Sequence, residues 1–212
     1  NVSQSYGSFQ TFSSYLNYKI STKRISSITS FTYNISENNF SYRNDIKGGI
    51  IEKAKNAGYL KRELIEDLGI KINNSEIVNV GFWYSNSDRS ITGSLSSKTG
   101  VANQQDESIR YVFEWKKTSK KNLLSVKASQ FRSELNYKDP LINLNSYIYT
   151  INNNAVIENK AGLTKNFSIS SNIQFIESKA DIEAYREKKR ENRSFIFGML
   201  DYKANNELIK VT

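Results

Sequence analysis

The chain has 212 residues with no Cys, no His and a single Pro, and 30 Lys plus Arg against 21 Asp plus Glu give it a formal net charge of +9. Without Cys and His, thiol and imidazole catalysis, disulfide staples, the Ser-His-Asp arrangement and the common zinc sites are excluded. Aromatic residues make up 12% of the chain, too many for a disordered segment, and its 25 Asn and 29 Ser favour turns and strands over a helical bundle.

No run of about 18 apolar residues exists, so no transmembrane helix is expected. Residues 1–7 lack the charged start, apolar stretch and small-residue cleavage site of a signal peptide. The positive charge reads as spread along the chain without clusters, which is a weak pointer to a polyanion.

The dominant pattern is alternation with period two, in which one side of a strand is apolar and the other polar. In chain order it covers Phe31, Tyr33 and Ile35; then Val78, Val80, Phe82 and Tyr84; then Ile109, Tyr111, Phe113 and Trp115. It continues through Leu124, Val126 and Ala128, through Tyr147, Tyr149 and Ile151, and through Phe167, Ile169, Ile173 and Phe175. Ten strands follow, at 8–20, 24–36, 59–72, 77–85, 107–117, 122–131, 146–158, 167–179, 192–203 and 207–212. The fold class is all-β, an antiparallel up-and-down meander. Two segments are ambiguous. Ile50, Ala54, Ala57, Leu60, Leu64 and Leu68 recur at helical spacing, but Gly58 and Gly69 weaken a helix, so 59 onwards reads as strand and 44–60 stays open. The stretch 180–191 reads as a charged loop, with helix as the alternative.

Short polar turns at 21–24, 73–76, 118–121, 164–166 and 204–206 alternate with long polar stretches at 37–57, 86–106, 132–145 and 180–191. One end of the sheet is thus trimmed and the other elaborate. Most of the strands run about nine to thirteen residues, and a tilted strand needs about 9–11 to cross a bilayer. Long strands with short turns at one end and long loops at the other match the outer-membrane barrel pattern. Tyr18, Trp115, Phe167 and Tyr202 lie beside four of the short turns, where an interfacial aromatic girdle belongs.

The ordered segments YGSFQTFSSYLNYKIS (6–21), ISSITSFTYNISENNF (25–40), GFWYSNSDRSITGSLSSKTG (81–100) and QQDESIRYVFEWKKTSKKNLLSVKASQF (104–131) resemble the barrel region of TonB-dependent outer-membrane receptors of Bacteroidetes type. The resemblance covers about 6–203 and rests on the series rather than on any one motif. It implies a partial transmembrane β-barrel, one domain over 1–212, in the bacterial outer membrane. It also implies a binding and transport protein rather than an enzyme. The ligand would be a large scarce nutrient (an iron-siderophore, haem or cobalamin) held at the long loops. The other partners implied are outer-membrane lipid and, through a plug absent from this chain, TonB. Family barrels have about 22 strands, so the chain is expected to be a piece of a receptor rather than a complete small barrel. It lacks the usual C-terminal aromatic, and Thr92-Gly93 stand where relatives often carry a Pro pair.

Asp88 and Arg89 follow the cluster Phe82–Trp83–Tyr84 at a strand end. They are candidates to organise a ligand-facing loop mouth, with Trp83 and Tyr84 as an apolar platform; Phe40 and Tyr42 complete the candidate ligand-binding set. The alternative is structural, with Phe82 and Tyr84 facing lipid and Asp88–Arg89 steadying the loop. Glu66–Asp67 and Asp106–Glu107 are adjacent on strands, face opposite sides and form no carboxylate pair. No nucleotide or calcium motif occurs, and no metal or other cofactor is implied. Lysines 116, 117, 120 and 121 flank a tight turn without interleaved exposed aromatics, so no nucleic-acid partner is expected. Arg62 and Glu66 share the apolar face of the third strand, a tension with lipid exposure. A soluble or surface-exposed β-protein binding glycans through exposed aromatics is the alternative reading.

Overall fold

The computed structural model describes the backbone of residues 1–93, 100–183, 187–204 and 207–211, and the side chains of 1–93, 100–183 and 188–203. The strands are β1 (Val2–Gly7), β2 (Thr11–Ser21), β3 (Ile25–Ser36), β4 (Ser41–Asn44), β5 (Ile50–Lys53), β6 (Tyr59–Lys71) and β7 (Glu76–Ile91). They continue with β8 (Ala102–Thr118), β9 (Asn122–Asp139), β10 (Leu144–Gly162), β11 (Phe167–Ile182), β12 (Glu187–Ala204) and β13 (Glu207–Val211). Eleven of them form one sheet in chain order, and β4 and β5 form a separate hairpin. Every pairing is antiparallel. Among the described residues no pairing joins β1 to β13, so the sheet is an open arc.

The meander is the one the alternation predicts, with three differences. An extra strand, β1, pairs with β2 at the amino-terminal edge. The stretch from 59 is strand β6, as expected, while 41–53 forms the small hairpin rather than a helix. Most of the expected long loops are strand. β8, β9 and β10 have 17, 18 and 19 residues, so the connections between strands contract to 92–101, 140–143 and a short link after Ile182. The charged run at 180–191 is likewise mostly strand, apart from 184–186, which lie outside the described residues. In these upper reaches apolar alternation stops but backbone pairing does not. Cross-strand polar contacts take over, as where Gln130 Nε2 donates to Asn153 Oδ1 (2.9 Å) and Asn153 Nδ2 to Glu177 Oε2 (2.9 Å).

Register fixes the faces. Val80, Phe113, Ala128, Ala155 and Phe175 are successive cross-strand partners. One residue along each strand, Asn79, Glu114, Lys127, Val156 and Gln174 form the corresponding row of the other face. One face is therefore an apolar band and the other polar. Only Ala54, Ala102 and Val156 are buried apolar residues among those described. Large apolar side chains on the band stay open, with Ile173 52% and Ile196 85% exposed. Among the described residues the sheet is a single layer with nothing packed on either side.

Glu66 does lie on the apolar face, opposite Thr29 and Phe82. Its carboxylate accepts hydrogen bonds from Ser27 Oγ (2.6 Å) and from the Thr29 hydroxyl, which offsets part of the cost of a charge there. Arg62 sits higher on the same face, opposite Tyr33 and Asn86.

The β4–β5 hairpin turns through Gly48 and Gly49, both with φ near +80°, a conformation that favours glycine. Glu52 organises it, accepting from Asn44 Nδ2 (2.8 Å), Lys47 Nζ (3.0 Å) and Tyr42 Oη (3.2 Å). Asn56 ties the return strand down: its Nδ2 donates to the carbonyls of Ile91 and Ala102, each at 2.9 Å. The hydrogen bonds from Asn44 and Lys47 hold the Glu52 carboxyl below the usual carboxylate range. A depressed folded-state pKa stabilises above the unfolded value and is lost as pH falls through the folded one. Amide protection factors across 41–53, measured by hydrogen exchange, should therefore drop on the acid side of the ordinary Glu range. Glu52→Gln should remove that acid dependence; an unchanged profile in the variant would contradict the role given to Glu52.

Candidate functional site

The candidate residues sit toward the long-connection end and divide among three places. Trp83 and Arg89 project from the polar face of β7. Tyr84 and Asp88, being neighbours along a strand, point to the opposite side. Phe40 and Tyr42 belong to the hairpin region. Trp83 and Tyr84 thus do not form one platform, and Asp88 and Arg89 do not pair with each other.

On the polar face, Trp83, Arg110 and Phe131 are direct cross-strand partners on β7, β8 and β9. The Arg110 guanidinium carbon lies 5.5 Å from the Trp83 ring centroid and 4.5 Å from that of Phe131, so a cation is set between two aromatic rings. Higher on the same face, Arg89 Nη2 bonds Asp106 Oδ2 at 2.8 Å. Asp106 also accepts from Gln104 Nε2 at 2.9 and 3.0 Å and from Ser87 Oγ at 3.4 Å.

On the face that carries the apolar band, Tyr84 Oη donates to Glu107 Oε2 at 3.3 Å, and Asp88 accepts from Asn103 and Gln105. Phe40 packs edge-on against Phe9 (6.0 Å between centroids) and tilts against Tyr42 (6.3 Å).

Below Trp83 the polar face carries a hollow of about 430 Å³ lined in part by Asp67, Gly69, Asn79, Gly81 and Glu114. At Gly69 the polar face is crowded: a Cβ there would come within 2.6 Å of Ser26 Oγ, which would have to turn away. Glu114 meets Lys116 at 2.9 Å and Asn79 Nδ2 at 3.0 Å, and Lys127 meets Glu158 at 2.7 Å. No group of three or more metal-ligating side chains converges among the described residues. The arrangement offers stacked rings, a guanidinium and balanced ion pairs, which is the chemistry of recognition.

Arg110, Phe131 and Asp106 are absent from the candidates that sequence alone supplies. One signal was present: reflection about the turn at Lys120–Lys121 places 110 opposite 131. The partner of Trp83 lies across the connection at 92–101, whose register no local pattern fixes. A double-mutant cycle of Trp83→Leu with Arg110→Met should give a coupling of about 0.5–1 kcal/mol in denaturant unfolding. Additive effects would show that the stack carries no energy of its own.

No protein-family model matches the chain, and no curated protein matches it. Solved structures do. The chain superposes on the copper transporter OprC with a TM-score of 0.58 at 8% identity, covering 97% of this chain and 42% of that one. On the ferric yersiniabactin uptake receptor FyuA from Yersinia pestis the TM-score is 0.52 at 15% identity, covering 92% of this chain and 36% of that one. The chain thus spans well under half the length of either protein. At these identities the likeness is one of fold: an antiparallel meander that follows an arc of a barrel-type sheet.

Proposed function

We propose that the chain is part of the wall of a TonB-dependent outer-membrane receptor, a binding and transport protein rather than an enzyme, with 1–212 as one partial-barrel domain. The observation that carries this reading is the single-layer sheet with an apolar band on one face and a polar lining on the other. In water such a band would lie open at a cost of roughly 25 cal/mol for each Å². Against acyl chains it costs nothing, and the polar face then lines an aqueous bore. The strands suit the span, since 16–19 residues in β7 and in β8 to β11 cross a bilayer of about 9–11 residues and continue beyond it as a paired polar collar.

The ligand is a large scarce nutrient captured at the long-connection end, and a metal-bearing one is the class we favour, since the names of the two structural neighbours specify copper and ferric yersiniabactin. Trp83 and Arg89, with Arg110 between its rings, face the bore and are the contacts we assign first, together with Phe40 and Tyr42 at the rim. Tyr84 and Asp88 hold the outside of the same wall. Coupling to TonB would run through a lumen-filling domain rather than through these strands.

The 212 residues hold no Cys, so single cysteines can be placed along β7 in a background from which any others have been removed. In the intact protein as its gene encodes it, cysteines at 79, 81 and 83 should react with a membrane-impermeant thiol reagent several-fold faster than those at 78, 80 and 82. Equal reactivity of the two sets, or recovery of the protein in the soluble fraction without detergent, would overturn the reading.

A further inference from the structure

The net charge is gathered at one end of the sheet. The connections β2–β3, β6–β7, β8–β9, β10–β11 and β12–β13 all lie at the short-turn end, because the meander reverses at each strand. Within four residues of these connections stand 12 of the 30 basic residues and only 3 of the 21 acidic ones. The remainder of the chain holds 18 of each, so the short-turn end accounts for the whole of the +9.

Ion pairs occur at both ends, and at the short-turn end Lys116 meets Glu114 (2.9 Å) and Lys117 meets Glu76 (3.0 Å). At the long-connection end cations meet carboxylates: Arg43 with Asp45 (2.8 Å), Arg89 with Asp106 (2.8 Å), Lys188 with Asp181 (3.3 Å) and Arg193 with Glu191 (2.7 Å). At the short turns Lys23, Arg24, Lys120, Lys121 and Lys165 are exposed and make no ion pair among the described residues. Beside them stand exposed apolar residues, Ile25, Ile72, Leu123 and Leu163, the last 55% open. A little further along the strands come Tyr18 and the tilted pair Phe167–Tyr202, 4.6 Å between centroids. A soluble anion would call for the cations alone. Unpaired cations set between apolar residues and an aromatic girdle match a headgroup layer, with phosphate outermost and acyl chain beneath.

We propose that the short-turn rim binds the phosphate groups of anionic phospholipids in the leaflet it faces, through Lys23, Arg24, Lys120, Lys121 and Lys165. This rests on the membrane reading above. The turns act as a collar that selects phosphatidylglycerol-type lipids over zwitterionic ones around this sector of the wall, while the charge-balanced opposite end makes no such selection.

The intact protein as its gene encodes it, placed in nanodiscs of phosphatidylethanolamine with about a quarter phosphatidylglycerol, tests this by mass spectrometry of the lipids it retains. The expected result is several-fold enrichment of phosphatidylglycerol over the bulk mixture, declining stepwise toward the bulk composition as the cations are removed. The variant carrying Lys23→Ser, Arg24→Ser, Lys120→Ser, Lys121→Ser and Lys165→Ser should retain the bulk composition; Arg43→Ser with Lys188→Ser, at the other end, should keep the enrichment. Should the fivefold variant not fold, high salt applied to the unaltered protein should abolish the enrichment, and enrichment that survives salt overturns the proposal. Competition by millimolar inorganic phosphate would overturn the lipid assignment in favour of a free-anion site. Insertion without enrichment overturns this proposal alone, whereas failure to insert into bilayers of either composition overturns the membrane reading as well.

Discussion

A sheet that packs against nothing must find the partner for its apolar face outside itself. That constraint governs this chain. Domains ordinarily bury apolar faces by stacking a second layer on the first, yet the only buried apolar residues described here are Ala54, Ala102 and Val156. Phe113, Phe175 and Ile196 lie on one side with no covering element. Local features comply with the constraint: glycine where the polar face crowds at Gly69, hydroxyls gathered about the Glu66 carboxylate, and aromatic rings where the band meets its lower boundary.

The strands also solve a second problem, which is how to continue past an apolar medium. Above the band, β8 to β11 keep their ladders while their side chains change chemistry. Gln130, Asn153 and Glu177 form one hydrogen-bonded row across three strands, and Arg132 bonds Glu134 and lies over Tyr149. The wall therefore keeps its rigidity into the zone where a ligand would first be met. Side chains carried on paired strands are held more firmly than those on free loops.

How much of this was legible in the sequence depends on the kind of signal. Val78 to Tyr84 and Ile109 to Trp115 announce strands because the apolar face imposes period two, and the register keeps the parity they imply. The stretches 86–106 and 132–145 read as loops because alternation is a record of burial, not of backbone pairing; where both faces are wet, Asn, Gln and Glu serve either one. The site was half legible for a related reason. Trp83 and Arg89 stand out locally, but Arg110 and Phe131 acquire meaning only when three strands are laid side by side. The charge shows the same limit. Lysines at 23, 120, 121 and 165 look scattered along the chain, and only a meander that returns every second turn to one end makes them neighbours.

Asn56 has a mechanical consequence. Its single amide reaches both the last carbonyl of β7 and the first of β8, while Ser90 N donates to Gly58 O (2.8 Å) close by. The β4–β5 hairpin is thereby moored to both strands that bound the connection at 92–101. Any displacement of Phe40 or Tyr42 would pull on the end of β7 and the start of β8 together, so hairpin and strand ends would move as one lever instead of independent fingers.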